Sequence, residues 1–140
     1  MAQRWLFKTE PGAYSFTRLT GERRTVWDGV KNALAQKHLA HARAGDELLV
    51  YHTGDQKAAV GIARVVHGPY PDPRQDDARL LVVDLAPVRA LPRPVTLAEM
   101  RASPQLAGFD LLRLPRLSVV PVSAAHWTAI LRMAGSPPSA

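Results

Sequence analysis

The chain has 140 residues, a length that supports one compact domain with one hydrophobic core. Its 46% apolar and 21% charged residues exclude wholesale disorder, and no apolar run reaches the roughly 20 residues that a membrane helix needs. No signal peptide is visible, and the absence of cysteine excludes disulfides, thiolate metal ligands and a thiol nucleophile. We therefore expect a cytoplasmic protein.

Basic residues outnumber acidic residues by 18 to 12, and arginine supplies fourteen of the 18. The resulting net charge of +6 favours a polyanionic partner, for which nucleic acid is the commonest choice. The alternative is that Ala, Arg and Pro are abundant only because of GC-rich coding. The cations are scattered along the chain, so they do not form a basic tail.

The first half of the chain predicts alternating strands and short helices. We expect strands at residues 4–9, 47–53 and 58–67, and helices at 16–19 and 31–43. Ser15 is a suitable N-cap for the first helix, and a turn is expected directly after Trp27. The buried face of the second helix would consist of Leu34, His38, Leu39 and Ala42. Gly61, inside a strand, indicates a bulge or a close approach to the backbone.

Proline residues strongly affect the elements that we expect in the second half of the chain. Three prolines within residues 68–73 predict irregular structure, because each removes a backbone donor and fixes φ. A long strand is expected at 80–91, with a bulge or a sheet edge at Pro87. Thr96 and Glu99 have the spacing of a capping box for a short helix. The remaining elements would be turns at 104–112, a strand at 117–122 and a helix at 124–133, capped by Ser123.

These elements predict one α+β domain over residues 1–134 and a disordered tail over 135–140. The five or six strands are unequal in length and are bent by glycine and proline. This combination favours a curled sheet or a small barrel.

Most catalytic motifs are absent from the sequence, which has no nucleophile elbow, no P-loop, no dinucleotide fingerprint and no HExxH. His38 and His41 have a helical spacing that suits two metal ligands, but no third ligand supports them. We therefore expect neither a metal nor a cofactor.

Aromatic and polar residues at the ends of segments are the remaining candidates for function. Trp27 precedes a turn, and Tyr51, His52 and Thr53 end a strand. Recognition of an extruded base requires an aromatic ring that stacks on its face and polar groups that read its edge. The alternatives are a core tryptophan and an ordinary half-buried strand end.

A set of short segments follows in order from Arg4 to about Met133. They are Trp5 to Pro11, Tyr14 to Phe16, Trp27 to Asn32, Gly45 and Asp46, Tyr51 to Thr53, Val60 to Val65, Tyr70 to Pro73, Arg116 to Val119, Pro121 and Val122, and Trp127. Together they resemble the EVE domain, a PUA-like fold related to the YTH readers of methylated RNA bases. Residues 31–37 depart from that pattern, because Ala33 and Leu34 replace a tyrosine and a glutamine.

The resemblance implies a PUA-like small mixed β-barrel of five to six strands, flanked by helices, with a pocket for a modified nucleobase. Eukaryotic members are implicated in reading modified cytosine in DNA. For bacterial members, with which we group this chain, modified DNA and modified RNA are both candidate partners. The aromatic residue of the related YTH pocket corresponds best to Trp27. The ligand-binding candidates implied by the match are Lys8, Thr9, Trp27, Val30, Asn32, Tyr51, His52, Thr53, Arg116, Leu117 and Ser118.

The predicted function is thus a monomeric, non-catalytic module that binds a modified base in DNA or RNA. Two alternatives stay open. An enzyme acting on nucleic acid would use His52 as general base, with Lys8 or Arg116 stabilising charge. A sensor of a small anionic metabolite or nucleotide would use the same pocket, with Lys8 and Arg116 meeting the anion.

Overall fold

The computed structural model describes residues 3–136, which form six strands and five α-helices. The strands are β1 (Arg4–Thr9), β2 (Thr25–Trp27), β3 (Glu47–His52), β4 (Ala58–Pro71), β5 (Leu81–Thr96) and β6 (Val119–Val122). The helices are α1 (Phe16–Glu22), α2 (Ala33–Leu39), α3 (Leu97–Ala102), α4 (Asp110–Arg113) and α5 (Ala124–Met133), with a 3₁₀ turn at Pro104–Leu106. Within residues 3–136, no helix is long and apolar enough to span a bilayer.

All six strands belong to one sheet, in the order β2-β5-β4-β3-β1-β6. Strands β1 and β3 are parallel, and the other neighbours are antiparallel. The α+β class, the mixed sheet and the strand number are confirmed, but the closed barrel is wrong. The edge strands β2 and β6 each have one neighbour in the described part of the chain, and they contain only three and four residues. Such short edges offer few free backbone groups for closure.

The central strands are buried on both faces. Successive side chains of a strand point to opposite faces, yet Trp5, Leu6 and Phe7 are all buried, as is the whole of 48–52. The buried carboxylate of Asp46 fixes the start of β1. It accepts hydrogen bonds from the Trp5 indole Nε1 at 3.0 Å and from the Gln3 backbone N at 3.0 Å.

Local capping explains where several helices begin. Ser15, Thr96 and Ser123 cap their helices as predicted, and Thr96 forms the complete capping box with Glu99. The second helix is shorter than 31–43, because the Asn32 side chain caps it by accepting from Ala35 N at 3.0 Å.

The expected buried face of α2 is wrong at one position. Leu34 is 41% exposed, whereas Ala35, Leu39 and the following Ala42 are buried. The Asn32 cap begins the helix two residues later than predicted, and Ala35 rather than Leu34 is in line with Leu39 toward the sheet.

The prolines interrupt the sheet less than expected. Strand β4 continues to Pro71, so the predicted irregular segment 68–73 is wrong over its first four residues. The β4–β5 register shifts between His67 and Tyr70, which places Gly68 and Pro69 where no regular pair is required. The bulges predicted near Gly61 and Pro87 are confirmed by register shifts beside both.

Two residues of the predicted tail, Gly135 and Ser136, differ from the prediction. Ser136 is buried, and its backbone N donates to Leu131 O at 2.9 Å. Its hydroxyl accepts from Arg89 Nη2 at 3.1 Å. Gly135 and Ser136 therefore belong to the folded domain, and the prediction for residues 137–140 lies outside the described residues.

Candidate functional site

A cavity of about 1000 Å³ opens beside the ends of β1 and β2, next to α1 and the β4–β5 hairpin. We call it the main cavity. Its walls are Lys8, Thr9, Ala13, Tyr14, Arg18, Glu22, Arg24 to Val30, Tyr70, Asp72, Pro73, Arg74, Asp84 and Ser118. This volume lies at the upper end of the range for small-molecule sites, about 300–1,000 Å³.

Trp27 forms the aromatic part of the wall and is only 8% exposed. Its ring lies 5.9 Å from that of Phe7 and 6.0 Å from that of Tyr14, which meets it edge-on at 88°. Pairing of Trp27 with the buried Val83 in β5 holds its backbone. The indole is thus fixed by packing on several sides while it still lines the cavity.

The turn after Trp27 is held by one glutamine. Gln36 of α2 donates from Nε2 to Val30 O at 2.5 Å and accepts at Oε1 from Leu81 N at 2.9 Å. This side chain ties the cavity-lining turn to β5. Sequence reasoning did not find it, because its partners lie 6 and 45 positions away.

The charged wall of the main cavity is balanced. Four cations, Lys8, Arg18, Arg24 and Arg74, are matched by four carboxylates, Glu22, Asp28, Asp72 and Asp84. All three arginines are paired: Arg18 with Glu22 at 3.1 Å, Arg24 with Asp84 at 2.7 Å, and Arg74 with Asp28 and Asp72. A wall of this kind presents donors and acceptors but little net field, which suits a neutral polar ligand better than an anion.

Asp84 is the most connected of these carboxylates. Burial raises its pKa, but hydrogen bonds from Tyr70 and Arg24 outweigh that effect, so the pKa lies below its ordinary value of 3.8. The Tyr70 hydroxyl donates to Asp84 Oδ1 at 2.5 Å, and this bond, with burial, raises the pKa of Tyr70 to about 12. At neutral pH the site therefore contains an ionised Asp84 and a neutral, donating Tyr70.

The end of β1 contributes Lys8 and Thr9. Lys8 N donates to Ser118 O at 3.0 Å, and Lys8 Nζ donates to Pro115 O at 2.7 Å. Burial lowers the pKa of the Lys8 ammonium group. The Thr9 hydroxyl donates to Tyr14 O at 2.8 Å, which ties β1 to the segment before α1.

The residues proposed from the sequence divide into three groups. Five of them, Lys8, Thr9, Trp27, Val30 and Ser118, line the main cavity. Tyr51 and Thr53 instead line a smaller cavity of about 300 Å³, and Lys8 also reaches it. Asn32, His52, Arg116 and Leu117 line neither cavity. The proximity of the first group agrees with the sequence analysis, while the binding role of every residue stays a prediction.

The His52 side chain is held by two hydrogen bonds within the protein. Its Nε2 accepts from Phe16 N at 3.0 Å, and its Nδ1 lies 2.8 Å from Gln56 Oε1. These partners define a neutral imidazole that carries its proton on Nδ1. Both ring nitrogens therefore have partners within the protein, so His52 is not the free general base that the enzyme alternative required.

Several cavity residues were missed by sequence reasoning. Tyr70 lies in a segment that carries the resemblance, but its contact with Asp84, 14 positions away, was not expected. Arg24 and Asp84 carried no signal in the sequence, because the contact between them joins residues 60 positions apart. Arg18 and Glu22 did carry one, the i,i+4 spacing of a helical ion pair. For the metal question, residues 3–136 contain no group of three His, Asp or Glu side chains placed to hold an ion.

Comparison with known proteins gives relatives over nearly the whole chain. Rpa0253 from Rhodopseudomonas palustris has a TM-score of 0.91 and 36% identity, covering 96% of this chain and 94% of that one. Human THYN1, solved in complex with 5-methylcytosine containing DNA, has a TM-score of 0.87 and 25% identity, covering 98% and 100%. ASCH from Zymomonas mobilis, with a TM-score of 0.59 and 10% identity, supports the PUA-like fold alone.

The relation is also visible in sequence. Thymocyte nuclear protein 1 from Homo sapiens is 25% identical over 173 aligned positions, which cover 99% of this chain and 77% of the relative. The EVE domain model matches residues 3–133. The chain belongs to the EVE domain family.

Proposed function

We propose that this protein is a non-catalytic module that binds a modified nucleobase, extruded or unpaired, in the main cavity. The observation that carries the proposal is the likeness to human THYN1, a protein solved with 5-methylcytosine containing DNA. In this proposal the base stacks on Trp27, and side chains of the cavity wall read its polar edge. DNA with modified cytosine is the first ligand to test, and modified RNA is the second.

The balanced wall favours a base over a small anion. A nucleobase has no net charge at neutral pH, so it can enter the main cavity without disturbing the paired arginines. An anionic metabolite would meet four carboxylates there, and the arginines that could bind it are already paired. The metabolite alternative is therefore the weaker one.

Energetics require contacts beyond the base itself. Extruding a base costs a few kcal/mol. Stacking contributes about 1–3 kcal/mol, and each neutral hydrogen bond about 0.5–1.5 kcal/mol. These amounts roughly cancel, so phosphate contacts must supply the remaining affinity. The net charge of +6 suits that task.

The decisive experiment compares short DNA duplexes that differ by one 5-methyl group on cytosine. Fluorescence anisotropy would give Kd for the wild type, Trp27→Ala and Trp27→Phe. We expect the wild type to prefer the methylated duplex and Trp27→Ala to lose about 10- to 100-fold in affinity, the equivalent of one stacking contact. Trp27→Phe keeps a ring and should retain part of the preference.

Circular dichroism is the fold control, because Trp27 also packs against Phe7. A folded Trp27→Ala protein that binds the methylated duplex as tightly as the wild type would overturn the assigned pocket. If the wild type binds methylated and unmodified DNA equally, the same duplexes with hydroxymethylcytosine or methyladenine are measured next, followed by RNA. No preference in any of these would reject the proposed function.

A further inference from the structure

The smaller cavity differs in charge from the main cavity. Its walls are Lys8, Tyr51, Thr53, Gly54, Lys57, Leu97, Arg101, Leu111 and Pro115. Three cations line it and no carboxylate does, so we call it the basic cavity. Its volume of about 300 Å³ is close to a third of that of the main cavity.

The cations of the basic cavity are not neutralised. None of Lys8, Lys57 and Arg101 forms an ion pair with a carboxylate of residues 3–136. Lys8 Nζ uses one of its three donors on Pro115 O, and its ammonium group lies 6.0 Å from the centre of the Tyr51 ring. This contrasts with the main cavity, where every arginine has a carboxylate partner.

Independent elements bring the three cations together. Lys8 comes from β1, Lys57 from the turn before β4, and Arg101 from α3. The Lys57 carbonyl accepts from Leu97 N at 2.8 Å, which fixes the turn against the start of α3. Tyr51 and Thr53 add two hydroxyl groups to the same wall.

Two carboxylates lie near the basic cavity without lining it. Glu10 lies beside Gly54, but its Oε2 accepts from Ala13 N at 3.1 Å. Asp55 lines a neighbouring cavity on the other side of Lys57 and Arg101. Like charges repel one another, so three cations around one cavity are the arrangement expected of a site for an anion.

We infer that the basic cavity binds a backbone phosphate of the nucleic acid whose base occupies the main cavity, an inference that rests on the proposed function. Lys8 lines both cavities, so the two sites are adjacent. A nucleotide carries a phosphate on each side of its sugar, and a base held in the main cavity brings one of them next to Lys8. The Arg101 fork and the Lys57 ammonium complete the contact.

The test uses a DNA duplex with one 5-methylcytosine, in which a neutral methylphosphonate replaces the phosphate on either side of that nucleotide in turn. The proteins are the wild type, Lys57→Gln/Arg101→Gln, and the control Arg64→Gln/Arg132→Gln. The control removes the same charge from exposed residues that line neither cavity. Circular dichroism confirms that each variant is folded.

We expect one of the two neutral linkages to weaken wild-type and control binding by about tenfold or more, as for a lost charged hydrogen bond. In Lys57→Gln/Arg101→Gln the same linkage should weaken binding clearly less, because two of the three cations that contact this phosphate are already absent. This non-additivity distinguishes a direct contact between these side chains and the phosphate from a long-range electrostatic effect of their charges. Equal losses in all three proteins, or no loss at either position, would overturn the inference.

Two further arms separate this inference from its premise and from a free-anion site. With unmethylated duplex, the slope of log K against log salt should be smaller in magnitude by about one in Lys57→Gln/Arg101→Gln relative to the control, the amount for one phosphate, even where no base preference exists. Stabilisation by inorganic phosphate that the variant loses, without any methylphosphonate effect, would assign the basic cavity to free phosphate and overturn the backbone contact.

Discussion

Gly61 lies under the ring of Phe16, the first residue of α1. A Cβ at Gly61 would come within 2.5 Å of ring atoms Cε1 and Cζ of Phe16. The absence of a side chain therefore lets α1 approach β4, and α1 carries the Arg18 and Glu22 wall of the main cavity. Sequence reasoning anticipated a close approach at this glycine but not its partner.

Gly61→Ala should consequently destabilise the fold. The ring of Phe16 is 7% exposed and has little room to move, so we expect a loss of about 1–3 kcal/mol in the free energy of unfolding, as for other overpacked cores. Urea unfolding followed by circular dichroism measures it. Gly21→Ala is the matched control. Nothing lies within 4 Å of its added Cβ, and alanine inside α1 should stabilise by about 0.5–1 kcal/mol. Wild-type stability in Gly61→Ala would contradict the packing argument.

His52 marks the limit of residue-level prediction. The sequence pattern placed it at a strand end, which is correct, and made it a candidate for binding or catalysis. Its Nε2 instead caps the segment at Phe16, 36 positions away. A histidine that supports a backbone N–H and one that faces a ligand have the same local sequence. Only the fold distinguishes them.

At the scale of elements, one hydrogen-bonded group links three strands. Asp84 of β5 accepts from Tyr70 of β4 and from Arg24, which directly precedes β2. The low pKa of Asp84 contributes stability that is fully present above its ordinary value of 3.8 and is lost as the pH falls through the lower folded value. The raised pKa of Tyr70 contributes stability that is present below 10.0 and is lost as the pH rises toward about 12.

Tyr70→Phe tests this link. We expect it to remove the tyrosine that titrates near 12, as followed by the ultraviolet absorbance of tyrosinate, and to flatten the alkaline loss of stability above 10.0. The pKa of Asp84 should rise, because burial is then opposed only by Arg24 and the smaller charge effect of His67. Tyr14→Phe is the control, since Tyr14 bonds Glu22 and not Asp84. A tyrosinate absorbance change near pH 12 that is as large in Tyr70→Phe as in the wild type would disprove the assignment.

Elements defined by local chemistry were predictable, and those defined by partners were not. The caps at Ser15, Thr96 and Ser123 depend on residues within one turn, so their spacing in sequence was sufficient. Strand β2 has three residues and exists only because it pairs with β5. The outer part of β4 likewise relies on β5 to accommodate its prolines. The same reason explains why Arg24 and Asp84 were missed as residues of the main cavity, because the contact between them joins positions 60 apart.

At the scale of the whole molecule, the net charge lies outside the main cavity. The cavity wall has four cations and four carboxylates, so the +6 of the full chain arises from the other residues. Base and backbone should therefore respond differently to salt. Binding of the free nucleoside 5-methyl-2′-deoxycytidine, followed by changes in the Trp27 indole NMR signal, should vary little between about 50 and 200 mM salt, because no phosphate is neutralised.

Binding of a methylated duplex should weaken steeply over the same range. Each neutralised phosphate contributes about −0.9 to the slope of log K against log salt, so a slope of several units is expected of a basic surface engaging the backbone. The comparison separates the two roles within one protein. Strongly salt-dependent binding of the nucleoside would mean that the main cavity attracts charge and that its ion pairs open on binding. Duplex binding that does not depend on salt would mean that the basic surface does not contact the DNA backbone. A neutral base site within a basic surface requires both results together: nucleoside binding that hardly depends on salt, and duplex binding that weakens steeply with salt.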